Sequence, residues 1–372
     1  MKLRTSLAAA CALVPFLEGA HASACSAPME VKHRVLFARD GSLLALADPD
    51  GRVVRAAAAG APAELAAAGR ARHQLADFAA DGSMLVTIEE RGDDGGGCEL
   101  TSIQLVAVDL ATGARRPAGR AWDMIGVHDV RVSPSKTRAV VLGSSIDDAA
   151  ARVFELGSHR PIRRLPAVDA LWLDDDRLAV LRASGNLHLV PVSGRGLVQV
   201  GPVPAEGVER HLVEGGASPG SFRFVERTPA GWKLFRVALA EGAPPALTEE
   251  SWTRAEQPIV ASADGRIVAA TDDARGRILV VEPSTGRLVA DVRGQHRYTA
   301  IALSPDGRRL GLASHERPTS EQDGDAWGDA SAFVPTTIEI VDLASASVVS
   351  WGARARSRLE RAAGPARATA PR

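Results

Sequence analysis

Seven times along this chain an apolar run enters a turn built from Ser, Pro, Asp and Gly, and a second apolar run leaves it. The clearest copy is Ala300-Ile301-Ala302-Leu303-Ser304-Pro305-Asp306-Gly307-Arg308-Arg309-Leu310-Gly311-Leu312. Related turns stand at Asp40-Gly41, Asp81-Gly82, Ser133-Pro134-Ser135, Asp174-Asp175-Asp176, Ser218-Pro219-Gly220 and Asp264-Gly265. Copies roughly forty to fifty residues apart are the mark of a repeat architecture, in which each unit buries its apolar faces against its neighbours. The sixth copy shows the unit: Ile259-Val260-Ala261, the Asp264-Gly265 turn, Arg266 to Ala270, a turn at 272–276, Arg277 to Val281, Pro283-Ser284-Thr285-Gly286, then Arg287 to Val292. Gly and Asp suit such turns because Gly accepts positive φ and Asp bonds its own backbone. Four short strands per copy predict an all-β fold, and no copy holds the long 3.6-period segment of a helical solenoid.

Composition narrows the partners. Formal net charge is −1, so the whole molecule exerts no attraction on nucleic acid or anionic membranes. Hydrophobic residues at 45% and charged residues at 24% fit a packed globular chain. Arg far outnumbers Lys throughout, which reads as a genomic bias rather than a site.

The ends differ from the middle. Lys2 and Arg4, the apolar stretch Leu7 to Leu17, and Ala20-His21-Ala22 or Ala22-Ser23-Ala24 follow the order of a secretory signal over residues 1–24, too short to span a bilayer. No later stretch has the length of a membrane helix, so an exported chain, periplasmic or extracellular, is expected. Cys11 falls in the signal. An oxidising compartment would permit a Cys25–Cys98 disulfide; the competing reading makes Cys25 a lipidated first residue. Residues 352–372 carry six arginines and one glutamate, a net +5 against −7 for residues 25–351, and predict a disordered basic tail. Export and the lack of interleaved aromatics argue against nucleic acid.

The Ser304-Pro305-Asp306-Gly307 turn resembles the first-to-second-strand turn of Trp-Asp-repeat, TolB-type and YVTN-type β-propellers. Val108-Asp109-Leu110-Ala111-Thr112-Gly113 and Ile340-Val341-Asp342-Leu343 resemble the end of their third strand. The resemblance implies a seven-bladed β-propeller of four-stranded antiparallel blades over residues 25–351. Its blades would lie at about 31–70, 71–122, 124–166, 167–206, 207–252, 255–294 and 296–351. In such folds the second-to-third-strand loops share a face with the blade-to-blade connections. Three of those loops are enlarged here, Glu89 to Glu99, Ser144 to Ala150 and Ser314 to Pro335, and would crowd one sector.

The last of these loops supplies the candidate contacts for a protein or envelope partner: Glu316, Asp323, Asp325, Trp327 and Asp329. Its carboxylates match the start of a calcium loop, but Trp327 takes a ligand place and Val334 stands where a bidentate Glu belongs, so an acidic loop with an aromatic anchor is the better reading. A second group comprises His33, His73, His128, His211 and His296, each at or just before a first strand, with Asp129 and Asp169 nearby. First strands line a propeller's channel, so these residues would either hold a divalent metal at its mouth or bond backbone between blades. The chain has no Gly-x-Ser-x-Gly elbow, no Gly-Lys-Ser/Thr phosphate loop and no His-Glu-x-x-His pair. The expectation is a binding module or scaffold rather than an enzyme, with a propeller-type hydrolase or lactonase carrying a channel-mouth metal as the alternative.

Overall fold

The computed structural model describes most of residues 126–315, together with 337–345, 348–351 and the strands between residues 35 and 124. Residues 1–34, 316–336 and 352–372 lie outside the described residues. Seven antiparallel sheets follow one another along the chain, spanning residues 35–66, 72–124, 126–165, 169–200, 210–249, 257–293 and 297–351. Six have four strands paired in chain order, and sheet two has a fifth. That extra strand, Trp122–Met124, pairs with Thr101–Ile103 beside the fourth strand, at the point where the sequence predicts a boundary. No helix among the described residues is long and apolar enough to cross a membrane.

The turn that betrays the repeat is held by its own side chains. The Ser304 hydroxyl donates to Asp306 Oδ1 (2.6 Å) and accepts from the Arg309 N–H (2.8 Å), while Asp306 Oδ1 also accepts from the Arg308 N–H (3.1 Å). Gly307, at φ 66°, donates its N–H to the Ser304 carbonyl at 2.8 Å. Ser262, Asp264 and Gly265 repeat these contacts in sheet six. In sheet three Ser133 keeps the serine's place, but Ser135 replaces Asp and Lys136 takes the glycine's left-handed conformation at φ 61°. A buried serine at Ser133, Ser262 and Ser304 is therefore a fixed part of the turn.

Alternation then feeds two interfaces from every sheet. In the second strand of sheet four, Leu178 and Val180 join a cluster with Val140, Val153 and Trp172 toward sheet three. Ala179 and Leu181, between and beyond them, join Leu212, Phe222 and Phe224 toward sheet five. Burial on both faces explains why second strands such as Arg138–Ser144 read as unbroken apolar runs. First strands of neighbouring sheets lie side by side and form the inner layer: Gly126–Val132 against Asp169–Trp172, Asp169–Trp172 against Arg210–Leu212, and Gln257–Ala261 against Arg297–Leu303. Val35–Phe37 of sheet one likewise packs beside Arg297–Leu303 and Arg309–His315 of sheet seven.

Two expectations are corrected here. The connection expected as an enlarged loop at Ser144 to Ala150 is strand at both ends, Ser144 pairing with Ala149, and residues 145–148 lie outside the described residues. The Cys25–Cys98 disulfide is withdrawn: no disulfide bond is found among the described residues, and both cysteines lie outside them.

Candidate functional site

Two clusters of polar side chains stand out, one on the inner strands and one on the exposed end of sheet five. The inner cluster is organised by Arg131 in the strand Gly126–Val132. Its guanidinium reaches Asp129 Oδ2 at 2.8 Å on the same strand, Asp169 Oδ1 at 2.9 Å at the start of sheet four, and Glu214 Oε1 at 3.1 Å after the first strand of sheet five. It also donates to the Ala170 carbonyl, and its own carbonyl accepts from Trp172 Nε1 at 2.9 Å. Burial alone would lower the Arg131 pKa, but Asp169 and then Glu214 outweigh it and hold it above the usual arginine value. Asp169 meanwhile caps the Ala170 N–H at 2.8 Å and reaches the Leu212 N–H at 3.3 Å. Glu214 continues the tie into sheet six through backbone bonds with Ile259 and Ala261. Gly215, at φ 74°, permits this approach, since a Cβ there would run into the Ala261 carbonyl.

One guanidinium thus joins three sheets, and the two aspartates expected at a metal site are its partners. Asp129 and Asp169 are brought together as the sequence suggests, but by a cation of the chain itself. The histidines divide differently. His211 lies on the first strand Arg210–Leu212, but its Nε2 pairs with Glu209 Oε1 at 2.8 Å. His73 and His128 lie in the strands Arg72–Phe78 and Gly126–Val132, with His128 the extra residue where the register slips between Val127 and Asp129. His33 and His296 lie outside the described residues, as do Glu316, Asp323, Asp325, Trp327 and Asp329. Among the described residues, no three His, Cys, Asp or Glu side chains are grouped to hold a metal ion.

The outer cluster gathers His211 with Glu209, Arg227 and Trp232, three residues the sequence does not single out. Glu209 accepts from His211 on one oxygen and from Arg227 Nη1 (3.0 Å) on the other, and these partners, His211 foremost, hold its carboxyl below the usual range. Arg227 lies over the Trp232 ring at 5.9 Å, and His211 meets that ring edge-on at 5.6 Å. All four residues sit where the first strand enters sheet five and the second-to-third hairpin closes at Thr228 and Gly231. The sequence signal was slight, a single Gly-Trp-Lys at 231–233 in a short hairpin.

The arginine excess also has a structural side. Arg138, Arg177, Arg223 and Arg309 occupy one position, at or near the start of second strands, where the carbonyl accepts from the residue before the turn. Arg138 donates to the Asp175 carbonyl and to Asp176 Oδ1 (2.7 Å), and Arg177 donates to the Pro219 carbonyl (3.1 Å), each reaching the next sheet's turn. Arg223 lies beneath Gly265 of the sixth turn while its fork grips Glu250 at 2.7 and 2.8 Å. Arg309 lies over the Phe37 ring of sheet one at 5.9 Å.

No family model matches the chain, and no curated protein does. Among solved structures it is similar to the β-propeller domain of Cps50 (Swd1) from Myceliophteria thermophila, at 15% identity and TM-score 0.54 over 76% of this chain and 93% of that one. It is also similar to hydrazine synthase from Kuenenia stuttgartiensis, at 13% identity and TM-score 0.53 over 87% of this chain and 96% of that one. Identities this low speak for the fold alone: the chain is a propeller-repeat protein.

Proposed function

We propose that the seven sheets close into a seven-bladed ring, and that the exported protein serves as a binding module or scaffold for a protein or other envelope component. Closure is supported by Val35–Phe37 packing beside the first and second strands of sheet seven, with Arg309 over Phe37. The observation that carries the functional reading is the Arg131 cluster. The carboxylates that a channel-mouth metal would need hold three blades together instead, whereas an aromatic and charged cluster faces outward on blade five. Export is supported by the charge, apolar run and small residues of the first 24 positions, and mass spectrometry of the mature protein tests for lipid attachment at Cys25.

The test is chemical cross-linking of the exported protein in its native envelope, followed by quantitative recovery of partners. One stoichiometric partner, captured less by Trp232→Ala than by the unchanged protein, is the expected result. Ester or lactone hydrolysis by the purified protein, abolished by Asp129→Asn or Asp169→Asn, would instead establish the hydrolase reading.

A further inference from the structure

The exposed end of blade five holds a depression of about 450 Å³, between the connection entering its first strand and the hairpin after Ser221–Thr228. Glu206, Val208, Glu209, Arg227 and Pro229 shape it. Its charges are not equivalent. Arg227 is held by Glu209 at 3.0 Å and lies against the Trp232 ring, so its charge is already matched. Glu206 is exposed and has no hydrogen bond or ion pair among the described residues. Two carboxylates against one guanidinium leave the lining with one excess negative charge. Val208 and Pro229 supply apolar wall, and Val203, in the same connection, is 64% exposed. Leu197 and Val198, just before and in the fourth strand of blade four, and Leu247, in the fourth strand of blade five, are exposed as well.

We propose that this depression receives a lysine or arginine side chain from an extended segment of a protein partner. The aliphatic stem lies along Val208 and Pro229, the cationic head meets Glu206, and an apolar neighbour in the segment covers Val203. The assignment rests on the binding-module reading and gives it a partner chemistry.

The probes are two dye-labelled, amidated peptides, one with a central lysine between valines and one with glutamate in its place, titrated into the full exported protein by fluorescence anisotropy. The lysine peptide is expected to bind the more tightly, with affinity falling as salt is raised. Glu206→Gln should weaken it about fivefold, the upper range for an exposed ion pair. Glu241→Gln, at the opposite end of the same sheet, should leave it unchanged. Equal or tighter binding of the glutamate peptide, binding of neither, or indifference to Glu206→Gln overturns the site. A cross-linked partner still captured by the Glu206→Gln protein would sink this site while leaving the binding-module reading standing.

Discussion

The junctions from blade three to blade five and the junction of blades six and seven do the same mechanical task with different chemistry. Between blades three, four and five, Arg138 and Arg177 reach the next turn, Arg131 gathers three carboxylates, and Arg210 of blade five donates to the carbonyls of Gly185 and Pro202 in blade four. Between blades six and seven, the position held elsewhere by arginine is Ile267, which lies beneath Gly307 with its Cγ1 3.2 Å from where a Cβ would stand. Leu303, Leu310, Leu312 and Val341 complete an apolar contact there. The position is repeated; its occupant is not. Reachable acceptors mark the difference: Arg138, Arg177 and Arg223 each meet a carbonyl or carboxylate with several donors, whereas Ile267 packs on an apolar cluster.

That contrast can be broken at its polar side first. Arg131→Met should cost about 3 kcal/mol in urea unfolding, at the low end for stranding buried carboxylates because Glu214 keeps contact with water. Asp129→Asn combined with Asp169→Asn in the Arg131→Met background should recover part of the loss. At the apolar side, Gly307→Ala combines a left-handed φ with crowding against Ile267 and Ser262, and should cost about 1–2 kcal/mol. The turns themselves differ in the opposite sense. Lys136 already carries the left-handed φ that glycine takes at Gly265 and Gly307, so Lys136→Gly should stabilise by up to about 1 kcal/mol in the same assay.

The smallest effect per residue is acid sensitivity. Asp306 is held low by the Ser304 hydroxyl and then by backbone N–H bonds, and Asp264 by the Arg266 N–H and Ser262 hydroxyl against the upward push of its burial. Both pKa values are depressed in the folded protein. Their contribution to stability is complete above the unfolded aspartate value of about 4, and is lost as pH falls through the lower folded values. Asp306→Ser, which copies Ser135 of the third turn, should flatten the decline of melting temperature between pH 5 and pH 3, taken as roughly the aspartate titration range.

The blades were legible because their information is local. Ser-Pro-Asp-Gly closes its own hydrogen bonds within six residues, and unbroken apolar runs such as Ala139-Val140-Val141-Leu142 report burial on both faces. The inner cluster was half legible. Asp129 and Asp169 stand out beside the first-strand histidines, but Arg131, only two residues from Asp129, carries no local signal because its other partners lie in two further sheets. The interblade arginines disappeared into a chain-wide excess of arginine. Blade five's outer cluster had no motif, since Glu209, Arg227 and Trp232 meet only through the register of a hairpin with its neighbour strand.

A closed ring requires that the last blade meet the first, as Val35–Phe37 beside sheet seven suggests. Nitroxide labels at Leu36 and Arg308, measured by pulsed electron spin resonance in the full-length protein, test this directly. Side-by-side sheets predict one narrow distribution within roughly two sheet separations, about 20 Å. A broad distribution reaching beyond about 40 Å, several sheet separations, would mean an open array and contradict the ring.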